Sequence, residues 1–170
     1  MKRTLLLLAA SVASLASVQA YAAEGANCKV PKFSDVGWTD ITATTAVASL
    51  LLEKAGYEPQ TTILSVPVTF QSLENGQIDI FLGNWMPLQE EARKPYLEGK
   101  TIEQAGVNLK GAKIGLAATG KDLGIKNYAD IAKFKDQLGG KIYGIEAGSS
   151  ANATIQSMIE KDKFGLKDFQ

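Results

Sequence analysis

Histidine is absent from the 170-residue chain, and cysteine occurs only once, as Cys28. A Ser-His-Asp or Cys-His nucleophile system therefore cannot be built from these residues, and neither can a zinc site that uses histidine. Most hydrolase mechanisms are excluded on this ground.

The chain has no excess of either charge, with 18 Lys and Arg against 18 Asp and Glu. The two signs are interspersed along the sequence, whereas nucleic-acid binding depends on clustered basic residues that neutralise phosphates. No nucleic-acid partner is predicted.

Long hydrophobic runs are confined to the N-terminus. Two basic residues precede an apolar run from Leu5 to about Val18, and a small-x-small triplet ends at Ala22. This pattern predicts a cleavable secretory signal peptide over residues 1–22, because the run is shorter than the ~20 residues that span a bilayer. An uncleaved N-terminal anchor is the alternative. Cleavage after Ala22 leaves 16 basic and 18 acidic groups, a net charge of −2.

A lone cysteine is unusual in an exported chain, because oxidising compartments favour cysteine pairs. Cys28 is either a free thiol or a residue whose partner lies outside this sequence.

From about residue 30, strand-like and helix-like segments alternate, which predicts an α/β fold with a largely parallel sheet. The first block is predicted to contain strands over 32–37, 60–66 and 78–83. The second block is predicted to contain strands over 113–118 and 141–146. A helix capped by Thr39 or Asp40 is expected to extend to about Ala55. Further helices are expected over 128–138 and 152–161, with a surface helix broken at Pro95. We divide the mature chain into lobe I, 23–108, and a partial lobe II, 109–170.

The only two tryptophans follow predicted strands, Trp38 after the first and Trp85 after the third. Since parallel strands end at the same edge of a sheet, both rings are expected at one edge, facing a cleft. Tryptophan is also highly buried on average, so two core residues are the alternative. A pair of rings facing a cleft suits a quaternary ammonium cation.

The segments around these residues resemble a known family. "DVGWTDITATTAVASLLLEKAGYEPQ", "VTFQSLENGQIDIFLGNWMP", "GAKIGLA" and "GGKIYGIEAGSSAN" are similar to the periplasmic substrate-binding proteins of ABC importers for choline, glycine betaine and carnitine, above all the choline binders. The resemblance implies a periplasmic binding protein type II-like fold, with two βα lobes around a cleft. Family members are nearly twice as long, so we expect an N-terminal portion, incomplete at the C-terminus.

Site residues are implied by the same resemblance. Trp38 and Trp85 match the tryptophans that box the ammonium group, Asp40 matches an acidic ligand contact, and Asn152 matches an asparagine that binds the choline hydroxyl. For Asp40 and Asn152, capping of a helix N-terminus is the alternative. Ile114 stands where the family commonly has a box tyrosine.

The implied activity is binding of a small quaternary amine and its delivery to an inner-membrane ABC permease, without catalysis. We expect a periplasmic monomer that needs no metal or organic cofactor. Arg93 and Lys94 either contact the permease or form a solvated face.

Two other functions remain open. The first is a sensory or interaction domain with the same fold and cleft. The second is an exported hydrolase in which Ser149 or Ser150 is the nucleophile and a lysine such as Lys141 is the base.

Overall fold

The structure, a computed structural model, describes residues 26–118 and 123–170. The predicted signal peptide, 1–22, lies outside the described residues. Within the described ranges, no helix has the length and apolar character needed to cross a bilayer.

The first block is a parallel three-stranded sheet with the strand order β2-β1-β3. Helices connect the strands, as βα units require. The elements are β1 (Lys32–Asp35), α1 (Thr39–Lys54), β2 (Gln60–Ile63), α2 (Val66–Glu74), β3 (Ile80–Phe81) and α3 (Glu90–Glu98).

Two hydrogen bonds place α1 and α2 on opposite faces of this sheet. The buried Ser34 hydroxyl of β1 lies 2.6 Å from the Thr69 hydroxyl of α2. The next residue, Asp35, points to the other face, where its Oδ2 accepts a 2.7 Å bond from the Thr42 hydroxyl of α1. At β1, the sheet therefore lies between α1 on one face and α2 on the other.

The core of the first block lies around Phe70. Its ring packs edge-on against Phe81 of β3, with centroids 5.9 Å apart, and stacks on Tyr96 of α3 at 5.7 Å. The buried residues of this cluster are Val36, Ile41, Val66 and Phe70.

Two expectations near prolines were wrong. The strand predicted over 60–66 ends at Ile63, and Pro67 lies in the first turn of α2, where its missing N–H costs no helical bond. Pro95 does not break α3, which continues to Glu98. Glu91, whose carbonyl loses its helical partner at Pro95, is exposed, so water can replace that bond.

The second block contains helices but no strand among its described residues. The predicted strands over 113–118 and 141–146 are wrong for this chain, because neither has a partner strand. Two backbone bonds join the second segment to Gln170, from the Ile142 N–H to the Gln170 carbonyl and from the Gln170 N–H to the Gly140 carbonyl, but they do not continue into a strand pair. The elements are α4 (Tyr128–Ile131), short 3₁₀ turns over Ala132–Phe134 and Lys163–Gly165, and α5 (Ser150–Glu160).

A second, separate core holds this block together. Ile131 of α4 packs with Leu166 and Phe169 near the end of the chain. The start of α4 is held by Asp130, whose Oδ2 accepts bonds from the backbone N–H groups of Lys126 and Asn127. The Lys133 ammonium donates to the same carboxylate and lowers the pKa of Asp130, with the backbone bonds acting in the same direction. The lobe boundary at residues 108 and 109 stays a prediction.

Candidate ligand site

A cavity of about 190 Å³ lies between the two blocks, beyond the carboxyl ends of β1 and β3. Three of the four predicted ligand residues line it, namely Trp38, Asp40 and Trp85, whereas Asn152 does not. The complete lining is Trp38, Asp40, Trp85, Leu88, Gln89, Ile114, Ile145, Ser149 and Ser150.

Trp38 is positioned by the turn that joins β1 to α1. The buried Asp35 carboxylate accepts the Gly37 N–H at 2.8 Å as well as the Thr42 hydroxyl. Gly37 adopts a left-handed conformation with φ of +79°, which reverses the chain after the strand. Trp38 is the residue before α1, and its carbonyl accepts the Thr42 N–H at 2.8 Å.

Trp85 is positioned by a loop that Gln89 closes. The Gln89 side chain is almost fully buried, and its Nε2 donates to the Gly83 carbonyl at 3.3 Å. Its backbone N–H donates to the Trp85 carbonyl at 2.9 Å. Sequence reasoning missed both Gln89 and Asp35, because a side chain that bonds loop backbone produces no periodic pattern.

Both indole rings are half-buried and also pack against the core of the first block. Each tryptophan therefore lines the cavity and also packs in the core, so both interpretations apply to both rings. The Trp38 Nε1 atom is buried and has no hydrogen-bond partner among the described residues.

Asp40 lies in the first turn of α1 and is exposed. It does not cap the helix, because the N-cap position is occupied by Trp38 and no side chain makes a cap bond there. Asp40 instead forms part of the cavity lining.

The Asn152 side chain binds the backbone of the segment that precedes it. Its Oδ1 accepts the Ile145 N–H at 3.0 Å, and its Nδ2 donates to the carbonyls of Ile145 and Glu146 at 3.1 and 3.0 Å. The helix cap of α5 is Ser149, whose Oγ accepts the Ala151 N–H. Since Ile145 lines the cavity, Asn152 positions a wall residue, and its contact with a ligand stays a prediction.

Two helices begin at the cavity, since Trp38 and Ser149 are the N-cap residues of α1 and α5. A helix N-terminus carries a partial positive charge. Asp40 places a negative charge at the start of α1 and opposes that field. The remaining wall is aliphatic, formed by Leu88, Ile114 and Ile145.

The two blocks touch beside the cavity. A Cβ atom added to Gly148 would lie 3.1 Å from the Pro67 ring, so the loop before α5 packs closely on the start of α2. No group of three or more acidic, histidine or cysteine side chains in the described ranges is arranged to hold a metal ion.

The sequence of residues 32–170 matches the family OpuAC, described as the substrate binding domain of ABC-type glycine betaine transport system. The chain belongs to this family. Membership agrees with the resemblance drawn from the tryptophan motifs.

Two curated relatives differ in how much of their length the chain covers. The "Uncharacterized protein ORF1" of Chromohalobacter salexigens is 43% identical over 86% of this chain and 94% of its own length. The glycine betaine/carnitine transport binding protein GbuC of Listeria monocytogenes is 30% identical over 61% of this chain and 34% of its own length.

Solved structures confirm the α/β fold class. An ABC-transporter choline binding protein in complex with choline is 54% identical, with a TM-score of 0.81 over 86% of this chain and 52% of that one. The same kind of protein in an unliganded semi-closed conformation gives 55% identity and a TM-score of 0.75. Lactococcal OpuAC with glycine betaine, at 24% identity and a TM-score of 0.66, shares the fold. The chain spans about half the length of these proteins.

Proposed function

We propose that the chain binds a quaternary ammonium solute, with choline as the first candidate, and serves its import by an ABC transporter. The observation that carries this proposal is that both tryptophans of the sequence line one cavity together with the carboxylate of Asp40.

The chemistry of the lining favours a fully methylated cation. Most of the accessible lining is apolar, from two tryptophans and three aliphatic side chains, and the polar residues Asp40, Gln89, Ser149 and Ser150 contribute little of it, so an N–H donor meets few acceptors. A primary ammonium would lose its bound water there without replacement, at a cost of several kcal/mol. A trimethylammonium group has no N–H to satisfy and is attracted by the ring faces.

The magnitude of this attraction predicts weak binding. Each desolvated cation–π contact contributes up to ~2 kcal/mol. Two rings therefore supply about 4 kcal/mol, which corresponds to a Kd of about 1 mM. Ile114 adds no aromatic face to the cavity. We expect millimolar affinity from the chain alone.

The other end of the solute decides between choline and glycine betaine. Asp40 favours the choline hydroxyl, because two carboxylates in one cleft repel each other. The N-termini of α1 and α5 favour a carboxylate, which makes glycine betaine the second candidate. The high identity to a choline complex supports choline first.

Delivery to a permease and a periplasmic location follow from the same proposal, since the family is described by its role in transport. Arg93 is a poor candidate for permease contact, because its side chain is 13% exposed and bonded to Glu90 and Gln104. Lys94 is exposed and stays available for that contact. A sensory protein would use the same cavity. Growth of cells on limiting choline distinguishes a role in transport from a role in sensing.

The test compares choline with 3,3-dimethyl-1-butanol. This alcohol is the neutral isostere of choline, in which a carbon atom replaces the charged nitrogen. Titration followed by ligand NMR is expected to show choline binding at least about tenfold tighter, because only the cation is attracted by the rings. Trp85→Leu should weaken choline binding by about 30-fold, the equivalent of ~2 kcal/mol.

The matched control is Tyr143→Leu, which removes an 84% exposed ring outside the cavity lining. It should leave choline binding unchanged. Equal affinity for choline and the isostere, or equal losses in the two variants, would rule out the proposed site.

A further inference from the structure

A second and larger cavity lies beside the candidate ligand site. It has a volume of about 1080 Å³, and it shares two lining residues, Asp40 and Trp85, with the smaller cavity. The rest of its lining comes from α1, α2, β3, α3 and the connector 101–112. We call this cavity the β3 groove.

Apolar side chains outnumber polar ones in the lining of the β3 groove. Three of them, Met86, Val107 and Leu109, are 42, 63 and 65% exposed. Contiguous exposed apolar surface in a groove indicates a binding site, whereas single exposed apolar residues carry no such meaning. The aliphatic part of the lining includes Leu73, Ile78, Leu82, Leu97, Val107 and Leu109.

The charged residues of the groove do not call for a charged ligand. Arg93 is already paired with Glu90 and bonded to Gln104. An exposed charge gains little from pairing with another ion, because both stay hydrated. The charged residues that line the groove and are exposed to water, apart from the shared Asp40, are Asp79, Glu103 and Lys110.

The two cavities together suit a solute larger than choline. The smaller one, at about 190 Å³, is below the ~300–1,000 Å³ of most small-molecule sites. Because Asp40 and Trp85 border both cavities, a substituent on a headgroup held at the tryptophans reaches the β3 groove beside these two residues.

Resting on the function proposed above, we propose that the site takes trimethylammonium solutes that carry an extended apolar chain, such as long-chain choline esters. The cationic headgroup lies against Trp38 and Trp85, and the chain lies in the β3 groove. The tryptophans thus select the charge, and the groove selects the length of the chain.

The affinity should rise with chain length, because each methylene that leaves water improves binding by about fourfold. Part of the chain stays hydrated, since Val107 and Leu109 are themselves exposed. We therefore expect octyltrimethylammonium to bind at least about 30-fold tighter than tetramethylammonium. Ligand NMR titration of the whole chain, below the concentration at which the amphiphile forms micelles, measures this ratio.

Leu109→Gln tests whether the chain lies in the groove. The substitution places a neutral amide beside the chain, adds no charge near the cation, and should reduce the octyl to methyl ratio at least about fivefold. The matched control is Leu50→Gln, because Leu50 is 55% exposed on α1 and outside both linings. Circular dichroism verifies that both variants are folded.

Three results would overturn the proposal: no gain from methyl to octyl, an equal reduction of the ratio in Leu50→Gln, or binding of neutral 1-octanol as tight as that of octyltrimethylammonium. Choline is titrated in parallel. If choline binds normally, these results leave the function proposed above intact. Loss of both choline and tetramethylammonium binding overturns both proposals.

Discussion

At the scale of single residues, Trp38 occupies a position where tryptophan is a poor choice for helix stability. The N-cap of a helix favours Ser, Thr, Asn or Asp, which are worth ~1 kcal/mol over an apolar residue. Trp38 makes no side-chain cap bond. The ring is therefore better explained by the cavity that it lines than by the helix that it precedes.

Asp40→Asn should change which solute is preferred. Asp40 is exposed, so its attraction for a cation is worth ~0.2–1 kcal/mol. We expect choline to bind about two- to fivefold more weakly. Glycine betaine should bind equally well or better, because the repulsion of its carboxylate is removed. Competition NMR with both solutes measures the ratio.

The control for this substitution is Glu53→Gln, an exposed acid near the far end of α1. It should leave the choline to betaine ratio unchanged. An unaltered choline to betaine affinity ratio in Asp40→Asn would show that the Asp40 carboxylate does not interact with the bound solute.

Sequence reasoning grouped Trp38 and Trp85 because residues after parallel strands share one edge of a sheet, and the family resemblance added Asp40 and Asn152. Neither source gave a direction for the Asn152 amide. An asparagine in the first turn of a helix has several backbone groups within reach, and here the amide bonds Ile145 and Glu146. Spacing along the chain does not distinguish these partners from a ligand.

At the scale of elements, the turn after β1 depends on backbone conformation more than on contacts. Gly37 has a φ of +79°, and a Cβ atom added there would meet no atom within 4 Å. Any cost of alanine at this position therefore arises from the left-handed conformation itself.

Gly37→Ala should lower the free energy of unfolding by ~1–2 kcal/mol, the cost of the left-handed region for a residue with a Cβ. Urea denaturation followed by circular dichroism gives the change. Gly106→Ala is the matched control, because its added Cβ also meets nothing within 4 Å and its φ is not in the left-handed region. The same loss in both variants would contradict a backbone origin.

Local sequence patterns predicted an element well where its backbone hydrogen bonds form within its own segment, as in a helix. Helix α1 begins at Thr39, one residue before the start that a Thr39 cap would give, and it ends at Lys54, just before the predicted end at Ala55 and Gly56. The segments 113–118 and 141–146 have strand-like sequences but form no strands. A strand needs hydrogen-bonding partners from elsewhere in the chain, and local sequence carries no information on whether they are present.

At the scale of the whole molecule, the cavity has walls of different character. The first block contributes two indole rings, whereas the second contributes Ile114, Ile145 and two serines. An aliphatic wall excludes water but offers no negative ring face. Affinity for a cation is therefore limited by the second block.

Ile114→Tyr should tighten choline binding by about 10- to 30-fold, because a third ring contributes up to ~2 kcal/mol. Calorimetric titration measures the change. Leu116→Tyr is the matched control, since Leu116 lies in the same segment but outside the cavity lining. Equal tightening by both variants, or none in Ile114→Tyr, would contradict a cation–π wall.

The placement of both tryptophans on one cavity has a practical consequence for spectroscopy. The chain has no other indole, so its tryptophan emission comes only from these two rings, of which Trp85 also borders the neighbouring β3 groove of about 1080 Å³. A solute that enters alters the polarity around both fluorophores together. Occupancy can thus be followed by the intensity and wavelength of intrinsic emission, without a label and without a subtraction for distant chromophores.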